Sequence, residues 1–252
     1  MPIWIITGAN RGLGLEFATQ LSSSPSNTII ACTRTLSRSL SALSSLKSKS
    51  NPNPNSENGN ENENENFHIL ECDTSSESSI TTFASTLSAL LGPSTKIDYL
   101  LNNAGINANS QLTSLTFTPE SLSTHMQTNV LGPALLVQSL LPHLQQGTVV
   151  MNMTSGLGSL SFNSQRETAE CTVYAMSKAA LNMLTVHQAK QLGGRGVRVV
   201  CVDPGWVKTD MGGEGAVLER EVSVKGVLGV LNGLGEGDSG RFFGWDGVVR
   251  EW

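Results

Sequence analysis

TGANRGLG, residues 7–14, follows directly on the apolar run Ile3-Trp4-Ile5-Ile6 and leads into a segment of helical periodicity. Gly8, Gly12 and Gly14 form a G-x-x-x-G-x-G turn at a strand–helix junction, which makes the pattern more than a lone glycine motif. Glycine permits the tight turn and a close approach of backbone to ligand, and the free N–H groups at a helix N-terminus favour an anion. The stretch therefore reads as a cradle for the pyrophosphate of a dinucleotide. A purely structural turn is the competing reading.

Outward from this turn, short apolar runs recur at 3–7, 28–33, 67–72, 97–102, 147–153 and 196–202, with a last candidate strand at 240–243. Segments at 13–24, 36–48, 77–91, 118–144, 173–192 and 222–233 fit helical periodicity instead. Strands apolar on both faces and alternating with helices predict a parallel sheet with right-handed crossovers and helices on both sides. The expectation is one doubly wound α/β domain over residues 1–252, with about seven strands. The tract KSKSNPNPNSENGNENENEN at 47–66 has nothing to bury and predicts a disordered surface loop.

Composition removes several function classes. Sixteen Lys and Arg against 21 Asp and Glu give a net charge of −5, so no basic field draws a nucleic acid. No apolar run approaches the ~20 residues that span a bilayer. The opening MPIWIITGAN carries no basic leader, and Cys32, Cys72, Cys171 and Cys201 form no C-x-x-C pair, so four buried, reduced thiols in a cytoplasmic protein are expected. His68, His125, His143 and His187 stand apart, so no metal site is inferred.

The end of the second strand is where such a sheet reads the adenosine ribose, through a carboxylate for a free hydroxyl or a cation for a 2′-phosphate. No acidic residue lies between Glu16 and Glu57, while Arg34 stands just past the strand and Arg11 inside the glycine turn. A guanidinium fork suits a phosphate, which favours NADPH over NADH.

Further motifs follow in a fixed order: Asp73 after the third strand, NNAG at 102–105, Asn129 in the long helix, Ser155 after the fifth strand, YAMSK at 174–178, and PG at 204–205 before Thr209. In order and spacing, over nearly its whole length, the chain resembles the short-chain dehydrogenase/reductase family. VDPGWVKTDMGG and the ending GRFFGWDGVVREW are similar to its C-factor-like and sniffer-like carbonyl reductase branch. The resemblance implies a single-domain Rossmann fold using NADPH/NADP+. It places Gly8, Asn10, Arg11, Gly12, Leu13, Gly14, Arg34, Asp73, Asn103, Ala104, Gly105, Pro204, Gly205, Val207 and Thr209 around the cofactor. Asn129, Ser155, Tyr174 and Lys178 become the catalytic group, with Tyr174 and Lys178 also touching the cofactor. It also implies a homodimer or tetramer through the helices at 118–144 and 173–192.

The chemistry is readable from the residues as well. Tyr174 and Lys178, four apart on a predicted helix, share one face. A phenol with an ordinary pKa near ~10 is a poor acid at neutral pH, but a neighbouring ammonium stabilises its phenolate. Tyr174 would then exchange a proton with a carbonyl or alcohol oxygen, and Ser155 would hydrogen-bond the same oxygen. Lys178 would hold the nicotinamide ribose, and Asn129 would support a water relay to it. Tyr99, the other tyrosine, reads as core. Thr154 stands next to Ser155 as an alternative, Asn129 has a packing role as its alternative, and Asp73 doubles as a helix N-cap. Met176, Met183 and Leu184 read as core, while Phe162, Trp206 and Met211 are candidates for an apolar wall. The expected activity is reduction of a small or medium apolar ketone, aldehyde or quinone-like carbonyl. A secondary-metabolite ketoreductase and a non-catalytic NADP(H)-binding signalling protein are the alternatives.

Overall fold

In the first strand, alternate side chains enter opposite layers: Trp4 and Ile6 pack with Phe17, Leu21 and Val224, whereas Ile5 packs with Ile80, Leu100 and Leu136. The structure is a computed structural model and describes residues 1–37, 40–49 and 65–252. Its elements run β1 (Ile3–Thr7), α1 (Gly12–Ser22), β2 (Thr28–Thr33), α2 (Ser41–Lys49), β3 (Phe67–Glu71), α3 (Glu77–Leu91), β4 (Tyr99–Asn102), α4 (Pro119–Met126), α5 (Gly132–Ser139), β5 (Val149–Met153), α6 (Leu160–Ser164), α7 (Thr172–Gly193), β6 (Arg198–Asp203), α8 (Arg220–Gly233) and β7 (Phe242–Gly244).

The seven strands form one sheet in the order β3-β2-β1-β4-β5-β6-β7, with every pairing parallel. All six residues of β2 are buried, as its TIIACT run requires of a strand covered on both faces. Side chains of α1, α2 and α8 fill one layer, and those of α3, α5 and α7 the other. Strand order turns back between β1 and β4, which opens a crevice at the carboxyl ends of those strands.

Several expectations need correction. The long helix at 118–144 is broken: α4 passes into a π-helical turn, Gln127–Leu131, then α5 and a 3-10 turn, Leu141–His143. Pro133 and Pro142 sit where the new segments begin, and a Cβ on Gly132 would collide with the carbonyl oxygen of Thr74. Of the tract at 47–66, residues 50–64 lie outside the described residues; α2 extends to Lys49, and Glu65 and Asn66 form a turn before β3. Cys32, Cys72 and Cys201 are buried free thiols, but Cys171 is only half-buried. No described helix is long and apolar enough to cross a membrane.

On α7 the expected polarity is inverted. Met183 is 61% exposed and Met176 41%, and Leu184 is only partly buried, whereas Ser177, Asn182, Thr185 and Gln188 are buried. The sheet explains this. Asn152 on β5 donates to Thr185 Oγ1 (2.9 Å) and Gln188 Oε1 (3.1 Å), and Thr154 just past β5 donates to Asn182 Oδ1 (2.6 Å). Polar strand residues demand a polar helix face, because each buried group must find a partner. Tyr99 meets the expectation of a packed role: its ring stacks on Trp4 at 3.6 Å, and its hydroxyl donates to Asn232.

Candidate active site

The crevice is built first by backbone. Gly12 stands at φ +55°, a left-handed conformation that side chains disfavour, and a Cβ on Gly14 would overlap the carbonyl oxygen of Gly8. Arg11, the N-cap of α1, makes no capping bond with its side chain, and the first turn carries no acidic residue. The N–H groups at this end of α1 are thus left for an anionic guest, which fits a pyrophosphate. Leu13 packs its side chain against the core, so only its backbone faces the turn, and Asn10 is partly buried within it.

Thr7 joins the two strands that flank the crevice. Its hydroxyl accepts the N–H groups of Asn103 (3.0 Å) and Ala104 (2.9 Å) and donates to Leu101 O (3.2 Å). Asn103 returns the contact through Nδ2 to Thr7 O at 2.8 Å. Thr7 escaped the sequence reading although it begins the quoted TGANRGLG. Gly105 follows, and a Cβ there would lie 3.2 Å from Asn129 Oδ1 and 3.5 Å from Lys178 Nζ.

At the end of β2, Arg34 Nε lies 3.8 Å from Asp73 Oδ1, with the Arg34 side chain 60% exposed. Asp73 accepts the backbone N–H (2.9 Å) and hydroxyl (2.6 Å) of Ser75, and the N-cap of α3 is Ser76 rather than Asp73. Arg11 does not join Arg34: it pairs with Asp210 at 3.3 Å, beyond the far side of the glycine turn. Thr209 reaches the same place, with Cγ2 3.6 Å from the Cβ position of Gly12. Pro204 O accepts Ser223 Oγ at 2.7 Å from within α8. Gly205 takes φ +80°, and Val207 is buried and bridges to Leu218.

Tyr174 and Lys178 both stand on α7. Lys178 is 3% exposed, and its Nζ donates to Met153 O at 2.7 Å and lies 5.6 Å from the centre of the Tyr174 ring. Burial lowers its pKa to about 8. Burial raises that of Tyr174, a hydrogen bond from Ser155 opposes the rise, and the negative charges of Asp203 and Cys171 add to it. Ser155 caps a 3-10 turn, Gly156–Gly158, accepting Leu157 N–H at 3.2 Å. Thr154 is committed to Asn182, which leaves Ser155 as the hydroxyl beside Tyr174.

Asn129 is fully buried in the π-helical turn, a distortion often found at functional sites. Its amide accepts from Ile106 N (2.9 Å) and donates to Ile106 O (2.9 Å) and Ser177 Oγ (2.9 Å). Those bonds hold the backbone beyond Gly105 and tie it to Ser177, the residue before Lys178 on α7. The long stretch between Ser155 and Tyr174 folds into α6, whose Phe162 lies against Gly156. Phe162, Trp206 and Met211 are exposed, and Trp206 is pinned by Nε1 donating to Gly212 O at 2.8 Å.

Among the described residues no three His, Cys, Asp or Glu side chains converge as a metal site would need. What meets at the crevice is an anion cradle, a cation at the end of β2, and a serine, tyrosine and lysine in mutual reach. That set suits proton exchange with an oxygen beside a dinucleotide.

The C-signal of Myxococcus xanthus is 38% identical over 159 residues, which span 62% of this chain and 93% of that protein. The crystal structure of NADPH-bound carbonyl reductase from chicken fatty liver matches with a TM-score of 0.86 at 32% identity, covering 100% of this chain and 98% of that one. Carbonyl reductase Sniffer of D. melanogaster matches with a TM-score of 0.85 at 28% identity, covering 100% and 99%. The family model for short chain dehydrogenases matches residues 2–216. That span runs from the start of β1 past the end of β6 and takes in the whole frame on which these side chains stand, so the chain belongs to the short-chain dehydrogenase family.

Proposed function

We propose that the protein is an NADPH-dependent carbonyl reductase acting on an apolar ketone, aldehyde or quinone-like compound. The observation that carries the reading is Tyr174 with the Lys178 ammonium 5.6 Å from its ring and Ser155 on the adjoining turn, where its side chain favours the phenolate. The NADPH in the chicken-liver relative's structure supports the choice of cofactor, as does the exposed Arg34 at the end of β2.

NADPH, when bound, supplies the hydride. The α1 N-terminus holds its pyrophosphate, Arg34 its 2′-phosphate, and Asn103, Ala104, Gly105, Thr209 and Lys178 line the rest of the cleft. Ser155 donates a hydrogen bond to the carbonyl oxygen and orients it. Tyr174, kept protonated at neutral pH by burial, gives its hydroxyl proton to that oxygen. Lys178 then stabilises the phenolate left behind. Asn129 fixes the backbone of Ile106 and the hydroxyl of Ser177, which holds Gly105 and α7 in register. Phe162, Trp206 and Met211 favour an apolar substrate. Leu131, Met176 and Met183, exposed on the π-helical turn and α7, support a homodimer through that face, which size-exclusion chromatography tests.

The relative named C-signal favours a second reading, a non-catalytic NADP(H)-binding signalling protein. Tyr174→Phe separates the two. General acid catalysis is worth about 10²–10⁴-fold, so carbonyl turnover should fall by about that factor with NADPH affinity changed less than about tenfold. Turnover at the parent rate in this variant would overturn the mechanism. Tight NADPH binding with no carbonyl or alcohol turned over would favour the signalling reading.

A further inference from the structure

Asp203 ends β6 one residue before Pro204 and is given no part in the chemistry above. It shares a strand face with Val199, which packs with Ala189 and Leu192, so that face looks onto α7. The carboxylate is partly buried and joins two turns. Oδ1 accepts Gly205 N–H at 3.2 Å, and the Gly156 backbone, next to Ser155, favours the charged carboxylate. A Cβ on Gly156 would lie 3.4 Å from Oδ2.

Charged neighbours approach from each packed element. Beyond β7, Arg250 favours the carboxylate and Asp246 opposes it, the two forming their own ion pair at 2.8 Å. Burial outweighs the donors and raises the carboxyl above its usual value. From α7 comes Tyr174, which feels Asp203 and Cys171 as negative charges and has Lys178 beside its ring.

We propose that Asp203 is a positioning residue for carbonyl reduction: its carboxylate locks the Ser155 turn onto the Pro204–Gly205 turn, and its charge acts through space on the Tyr174 hydroxyl. This rests on Tyr174 as the proton donor. A negative charge near the phenol disfavours phenolate, so the donor form persists to higher pH. The same charge works against the reverse reaction, in which phenolate must accept a proton from an alcohol. Asp203 therefore moves upward the pH at which each direction runs best.

The chain has two tyrosines, so the phenolate absorbance of Tyr174 is isolated by subtracting the Tyr174→Phe titration. The measurement is made on the full chain saturated with NADP+. In Asp203→Asn, Tyr174 should titrate about half a pH unit or more below the parent. Asp203→Glu, which keeps the charge, should restore most of the shift. With NADPH and 4-nitrobenzaldehyde, the alkaline fall in kcat/KM should move the same way.

A contribution to packing alone would lower thermal stability and leave the titration in place. An Asn variant whose Tyr174 titrates no earlier than the parent's overturns the proposal. Where Asn does not fold, Asp203→Ser removes the same charge with a smaller group and is read identically. If Asp203→Asn shifts the titration while Tyr174→Phe still reduces 4-nitrobenzaldehyde at the parent rate, the proton-donor reading has failed rather than the electrostatic one.

Discussion

Lys178 holds its ammonium 2.7 Å from the carbonyl oxygen of Met153, at the end of β5, so this cation is fastened to the sheet as well as to its own helix. Its 3% exposure makes the charge costly to bury, and its pKa drops from 10.5 to about 8. Below about pH 8 the lysine is charged in both folded and unfolded chain, and the burial penalty is fully present. Between about 8 and 10.5 the unfolded chain binds a proton that the folded one does not, so rising pH relieves the penalty. Urea unfolding of the cofactor-free parent and Lys178→Met at pH 7.5 and 10 reads this difference; Cys32 and Cys72, which do not feel Lys178, contribute equally to both proteins. The parent should gain on the variant by up to about 3 kcal/mol. No relative gain would mean that Lys178 titrates normally.

Thr7→Val keeps the shape of the side chain but strands the N–H of Ala104, bonded to the hydroxyl, while the N–H of Asn103 keeps its second acceptor, Leu101 O at 2.9 Å. A donor left unpaired costs about 1–3 kcal/mol, so a loss of that order is expected, while Thr7→Ser retains most of the stability. Denaturant midpoints of the three proteins decide it. NADPH affinity should fall in the valine variant, because the strand ends beside the glycine turn are no longer stapled.

Arg34→Asp should weaken NADPH binding about ten- to a hundredfold and leave NADH binding little changed, since a charge-assisted contact to phosphate becomes a repulsion. Fluorescence titration with both cofactors measures it. Equal losses would show that the exposed guanidinium reads no 2′-phosphate. Arg11→Ala should discriminate less, because Arg11 faces Asp210 rather than Arg34.

The sheet was legible because its strands are apolar on both faces, and β2 is buried at every residue. The glycine turn, Ser155, Tyr174 and Lys178 were legible because their spacing along the chain survives as proximity in the fold. Periodicity could not reveal the π-helical turn around Asn129, since an extra residue in one helical turn leaves composition unchanged. It also mistook Met176 and Met183 for core, because the polar residues that decide which face of α7 turns inward, Asn152 and Thr154, belong to β5 and the turn after it. Thr7 was missed for a related reason: its partners lie more than 90 positions away.

The hydrogen-bonded seam beneath α7 has one more consequence. A helix seated on grease can roll by some degrees at little cost, since dispersion contacts are non-directional. One seated on Asn152, Thr154, Asn182, Thr185 and Gln188 is keyed, because each bond has a preferred direction. Replacing the seam with well-packed aliphatics is therefore a way to uncouple robustness from aim: such a protein can melt later than its parent and still point its tyrosine at the wrong place.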